Sequence, residues 1–349
     1  MNRGLSFALF FLIAGYAFSQ SCTQRLNQAE DRYDQGRLLE IESLISACLE
    51  NGSFTEGEAI RARKLLTKVA IFTDNEPKAE EELVNLLNID PIHQLQQEDP
   101  SEMQVLMNKF RTWPVYRLEF YVSGNYSLPS QAQTFSVFPN ETDNKVYTSN
   151  LGFGGGARIT KHLRDIVYGV EVGGGFEYRT SSYTVTSTPG NQVFETTITN
   201  NQAMFRLPLF ARYNFNPAVN ANFAPYVFVG GSLDFTMSAQ YSEGNRSGGT
   251  SFNIESDASD LIKLGQVSKT NISLIMGAGA KLAAGKGNFF FAEARFDKSL
   301  LLYNVPEERY SNPQVFGDLQ FVEDDTYLDL LSVNFGYVWS IFKPEKLQK

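Results

Sequence analysis

The spacing of apolar residues changes once along this chain. In residues 22–112 they recur at helical spacing; beyond, they alternate every second residue. The alternation is clearest from Asp329 to Phe342. Leu331, Val333, Phe335, Tyr337, Trp339 and Ile341 fall on one face, and Ser332, Asn334, Gly336, Val338 and Ser340 on the other. An apolar face with large aromatics near one end, opposite a small and polar face, inverts a soluble barrel. It matches a strand with lipid outside and polar residues inside. The same pattern predicts eight strands, at 116–126, 149–160, 166–181, 200–215, 224–240, 270–284, 288–303 and 327–342. The predicted fold is a transmembrane antiparallel β-barrel of eight strands, preceded by a small all-α domain.

The outward positions of these strands, such as Leu118, Phe120, Val122, Leu207, Leu209, Val227 and Val229, carry no charge. A charge near the bilayer midplane costs about 2–4 kcal/mol, so this is expected of a lipid-facing wall. The opposite positions collect Arg117, Glu119, Arg158, Glu171, Glu177, Arg179, Arg206, Arg212, Asp234, Lys281, Glu293, Arg295 and Asp297. The signs are nearly balanced, and a small barrel has room only for side chains. Paired arginines and carboxylates would fill it, so the favoured reading is a plugged interior rather than a conducting pore. Arg158, Glu171, Glu177, Arg179, Arg206, Arg212, Glu293 and Arg295 are its central members. In-strand glycines, including Gly152, Gly154, Gly156, Gly230, Gly277 and Gly279, permit coiling and leave room inside. Gly154-Gly155-Gly156 lies in an alternating strand with no helix after it, which excludes a dinucleotide loop.

Short connections (161–165, 216–223, 285–287) alternate with long ones (127–148, 182–199, 241–269, 304–326). Short periplasmic turns and long outer loops give this order, and an even strand count places both barrel ends on the periplasmic side. Tyr126, Phe135, Phe138, Tyr147, Phe252, Tyr310 and Phe316 in the long loops permit surface adhesion, or pack beneath a loop crown. The acidic groups Glu323-Asp324-Asp325 and Glu255, Asp257, Asp260 are read as solvated loop. Calcium bridging lipopolysaccharide is the alternative, and no ligand spacing defines a metal site.

Residues 1–19 read as a signal peptide: Arg3, an apolar run at 5–14, then Ala17-Phe18-Ser19 before a mature start at Gln20. The run is short for a membrane span, and no later one reaches about 18 residues. Net charge is −9, which argues against a nucleic-acid partner. Cys22 and Cys48 are the only cysteines. A disulfide between them is expected outside the cytoplasm, since antiparallel packing of the first two helices brings them together. A lipid anchor on Cys22 is the alternative, although Ser19-Gln20-Ser21 lacks the usual leucine. Helices are expected at 22–35, 38–50, 55–73, 77–87 and 101–110. The divisions are 1–19 signal peptide, 20–112 periplasmic helical domain, 113–343 barrel and 344–349 periplasmic tail.

The segment Ala29-Glu30, Tyr33, Gly36-Arg37 with its following helix resembles a tetratricopeptide-like hairpin, with a looser copy from Glu58 to Asp90-Pro91; a generic helical hairpin is the other reading. Such hairpins often bind peptides or partner proteins. Asn334, Gly336, Trp339 and Ile341 fit the polar–x–Gly–x–x–aromatic–x–apolar pattern read by the barrel-assembly machinery, displaced from the terminus by Lys343–Lys349. With the Gly-rich and Tyr/Phe-rich strands, this region resembles the PorT-like and OmpA-like outer-membrane barrels of the Bacteroidetes over 115–342. That resemblance implies outer-membrane lipid and lipopolysaccharide as surroundings. It also implies a periplasmic or outer-membrane protein partner, such as a component of type IX-like secretion or envelope assembly. No cofactor is expected. Outer-membrane hydrolases need a base near the outer rim. The only histidines are His93, in the helical region, and His162, in an expected periplasmic turn; both are read as surface residues, so no catalytic residue is assigned.

Overall fold

The computed structural model describes residues 22–137, 144–164, 167–188, 192–219, 221–248 and 252–347. The expected signal peptide and Phe138 lie outside them. The chain divides into two units, one of Met1–Val115 with Phe342–Lys349, the other Tyr116–Ile341.

The helical unit contains α1 (22–34), α2 (Ile41–Glu50), α3 (Glu56–Phe72), α4 (Glu76–Ile89) and α5 (Ser101–Met107). Local chemistry sets their limits. Gly36 takes φ 73° just after α1, a conformation open to glycine. Thr55 and Glu58 form a reciprocal capping box at the start of α3. Asn75 caps α4, and Pro77 occupies its first turn. Two clusters hold the unit. Leu26, Ala29, Ile41, Ile45, Ala62 and Leu66 join α1, α2 and α3. Ala70, Leu83, Leu86, Leu87, Met103 and Leu106 join α3, α4 and α5. A disulfide links Cys22 to Cys48. The C-terminal tail is a clasp. Arg111 N–H donates to Glu345 O at 2.9 Å, Leu347 N–H to Lys109 O at 2.7 Å, and Lys346 Nζ reaches Glu80 at 2.6 Å.

In the second unit, eight strands close into a ring: β1 (Tyr116–Gln133), β3 (Leu151–Arg164), β4 (Tyr168–Ser187), β5 (Phe194–Asn214), β6 (Phe223–Gly248), β9 (Thr270–Gly285), β10 (Asn288–Ser299) and β11 (Asp325–Ile341). Every neighbouring pair is antiparallel, and β11 returns to β1 with Ile341 opposite Tyr116. This is an eight-stranded up-and-down barrel, as the alternation predicts. Four strands run further than expected at one end, while β10, expected to reach 303, stops at Ser299. β1 continues to Gln133, β4 to Ser187 and β6 to Gly248, while β5 begins at Phe194. The short strands β2 (Asn144–Ser149), β7 (Phe252–Ser256) and β8 (Ser259–Asp260) pair with β4 and β6. Much of the expected loop is therefore ordered sheet, because Thr- and Ser-rich alternation supports a ladder as well as it supports a loop.

The two faces exchange character along the strands. In β4 the outward residues run Tyr168, Val170, Val172, Phe176, Tyr178, then Thr180, Ser182, Thr184, Thr186; the buried set runs Glu171, Glu177, Arg179, then Tyr183, Val185. In β5 the outward Phe205, Leu207 and Leu209 give way to Asn201, Thr199 and Thr197, while the buried Arg206 gives way to Ile198. Below the exchange the wall is apolar outside and charged inside, as a lipid-embedded barrel requires. Above it the wall is an ordinary water-exposed barrel with an apolar core.

Candidate functional site

Within the apolar-walled half, side chains fill the lumen in two charged layers. Near the chain ends of the barrel, Arg158 bridges Glu293 at 2.8 Å and Glu119 at 3.3 Å. Arg212 contacts Glu119 and Glu171, both at 2.7 Å, and Lys281 contacts Glu119 at 2.9 Å. Thr160, Tyr226 and Asn334 donate further hydrogen bonds to Glu171 and Glu293. In the second layer Arg206 holds Asp234 at 2.7 Å, Glu177 at 3.0 Å and Asp297. Arg295 bonds Glu177 at 2.5 Å and lies 3.0 Å from Asp297; Arg179 stands 3.9 Å from Glu177. All eight central members named from the sequence are at most 3 % exposed, and these contacts bring them into the two layers.

Inward aromatics separate the ions and escaped the sequence reading. Tyr121, Phe210, Phe228, Phe289 and Phe291 are buried, and the Arg158 guanidinium lies over the Tyr121 and Phe291 rings at 4.9 and 5.3 Å. Aromatics on both faces of one strand flatten the alternation that betrays orientation. The glycines that make room for them were legible. A Cβ on Gly277 would stand 2.3 Å from the Phe228 ring and 2.5 Å from Ala294 O. Of the expected assembly signal, Asn334 and Gly336 point inward, and Trp339 and Ile341 lie outward, 54 % and 38 % exposed.

Two expectations about surface residues are corrected. His162 is not in a turn: it lies inside β3, paired with Gly169 of β4, and both its ring nitrogens are shielded from solvent. Glu323-Asp324-Asp325 is not a solvated run. All three are buried: Asp324 binds Lys145 and Tyr147, Asp325 binds Asn304 and Arg309, and Glu323 accepts from Tyr241. Among the described residues no set of acids, histidines and cysteines has metal-site geometry. Of the loop aromatics, Tyr147 packs inside the mouth with Val315, Leu319 and Phe321, whereas Tyr310 and Phe316 stack on each other and stay 55 % and 37 % exposed.

In the helical unit a groove of about 580 Å³ lies between α1, α3 and the 91–99 segment. Tyr33, Ile60 and Leu65 give it apolar surface, and Arg61, paired with Glu30, and Lys64 line its side. Asp99 fixes the segment to α3 by accepting from Lys64 and Lys68, each at 2.7 Å. Burial would raise this carboxyl, but the two ammonium groups and the Gln96 N–H hold it down at about 2. His93 in the wall pairs with Asp90 at 2.9 Å.

A closed ring with an uncharged apolar belt and an ion-filled lumen is the setting for the sequence comparison. Residues 100–301 match the family model described as outer membrane protein beta-barrel domain. The chain belongs to that family. It is therefore an outer-membrane β-barrel protein. No curated protein matches it in sequence. Similar solved structures include OprG from Pseudomonas aeruginosa, with 13 % identity, TM-score 0.35, and coverage of 65 % of this chain and 97 % of that one. Neisserial surface protein A has 13 % identity, TM-score 0.30, and coverage of 63 % and 95 %. Ail of Yersinia pestis, crystallised with the heparin analogue sucrose octasulfate, has 10 % identity, TM-score 0.28, and coverage of 64 % and 99 %.

Proposed function

We propose that this protein is a non-enzymatic outer-membrane anchor. Its closed barrel carries a periplasmic helical module that docks a protein partner. The observation behind this reading is the pairing of an ion-filled lumen with a second unit that has two cores, a disulfide and an open groove of its own. A lumen packed with paired charges offers solutes no path, which leaves the wall as an anchor. The tetratricopeptide-like pattern of the hairpins favours a peptide or protein in the groove. The PorT-like resemblance points to a secretion or envelope-assembly complex, type IX-like, as the setting. Assembly through the barrel-assembly machinery, with Asn334, Gly336, Trp339 and Ile341 as its signal, belongs to the same reading. So does a lipopolysaccharide-facing outer leaflet.

The test is cross-linking in intact cells through a tag on the C-terminal tail, followed by mild extraction. A stoichiometric envelope component that is lost on substituting Tyr33 and Lys64 supports the reading. A solitary barrel with no partner refutes it. Orientation is tested by protease on intact cells: the long hairpins should be cut and residues 22–112 spared. The second reading, surface binding through the outer hairpins, draws on their order. β2 and β7 extend the sheet into a defined rim.

A further inference from the structure

The outer storey of the barrel is closed by the chain itself. Residues 304–324 fold back so that Val315, Leu319 and Phe321 pack with Tyr183, Val185, Ile198 and Leu328 from the strands. This segment ends in the buried carboxylates Glu323 and Asp324, and Asp325, also buried, follows them. Two cations face them. Lys145 from β2 binds Asp324 at 2.6 Å, and Arg309 from the plug binds Asp325. Asp324 also accepts from Tyr147 O–H at 2.7 Å and Phe135 N–H at 2.8 Å, and Asp325 from Asn304 at 2.9 Å. Among the described residues Glu323 forms no ion pair. Its Oε2 accepts from Tyr241 O–H of β6 at 2.9 Å, and its Oε1 is buried without a hydrogen-bond partner. The Tyr183 and Tyr303 phenols that face it are engaged by Asn200, and Arg179 of β4 donates to Leu328 O.

Three enclosed carboxylates against two cations leave one negative charge without compensation unless one carboxyl keeps its proton. Glu323 is the one with no cation. We propose that residues 304–324 are a proton-latched plug: protonated Glu323 seats them in the outer mouth, and loss of that proton frees them and uncovers the apolar cup beneath. Burial pushes the Glu323 carboxyl up to about 7; Asp324 adds to this, while the Tyr241 hydrogen bond, Lys145 and Arg309 pull it down. The ordinary value is 4.5. A carboxyl raised in the seated state stabilises that state fully below its ordinary value. The contribution is lost as pH climbs toward the raised one.

The experiment is amide exchange of residues 304–324 in the intact chain, held in nanodiscs, with protection factors corrected for intrinsic exchange. Between about pH 4.5 and about pH 7 protection should fall about tenfold per unit and then level off. Glu323→Gln should remove the slope. Constant protection in the wild type, or an unchanged slope in Glu323→Gln, overturns the proposal. Heat-modifiable migration reports whether the variant folds. Should it not fold, the infrared carboxyl band of the wild type decides. A protonated-carboxyl signal that persists above pH 5 and vanishes near pH 7 supports the latch, and its absence above pH 5 refutes it.

Discussion

Arg206 shows what a single residue does in this lumen. Its guanidinium serves Glu177, Asp234 and Asp297 together, and all four residues are buried. Removing one partner of a buried ion set leaves the others charged and unpaired, at about 3–5 kcal/mol. Arg206→Met should therefore lower the barrel's unfolding free energy by about that amount in urea titrations read by heat-modifiable migration. No change would mean that the carboxylates simply take up protons. The exchange of faces along β5 gives a second prediction at this scale. Leu207 is outward within the apolar belt and Thr197 outward beyond it. Leu207→Arg should cost about 2–4 kcal/mol and Thr197→Arg about 0–1 kcal/mol in the same assay. Equal costs would displace the belt. Residue identities made this inference available early: the uncharged outward set and the charged inward set were legible. The pairing of Arg158 with Glu293, 135 positions away in the chain, was not.

At the scale of elements, the 90–100 segment is fixed to α3 by Asp99. Its carboxyl sits at about 2, below the ordinary 3.8, so its stabilising contribution is complete above 3.8 and is lost as pH falls through about 2. Asp99→Asn should weaken the helical unit by about 1.5–3 kcal/mol, the range for hydrogen bonds to charged groups, and flatten its acid limb. Circular dichroism melts across that range check both effects. The Cys22–Cys48 bond closes a separation of 26 residues, which corresponds to about 3.5 kcal/mol of chain entropy. Reductant should lower the melting temperature of the helical unit and leave the heat-modifiable transition of the barrel in place. Helix positions were readable because caps and apolar stripes are local. The clasp of residues 345–347 on 109–111 was not, since a short charged tail has no pattern that names its partner.

At the largest scale, the barrel unit is a wall around a lumen filled by side chains. Two charged layers occupy the lumen and a third, apolar storey caps it. Reconstituted in planar bilayers, the protein should give no stable conductance at neutral pH, and steady porin-like steps would refute the sealed lumen. Strand number, closure and the helical domain were set by periodicity, which is a one-dimensional property: an alternating segment must present two environments wherever it lies. The apolar storey, the Glu323-Asp324-Asp325 base and the long-range ion pairs were decided only in three dimensions. Ser, Thr and acidic residues read alike in a solvated loop and in a satisfied interior. Their burial depends on partners such as Lys145 and Tyr241, far away in sequence and brought near only when the ring closes.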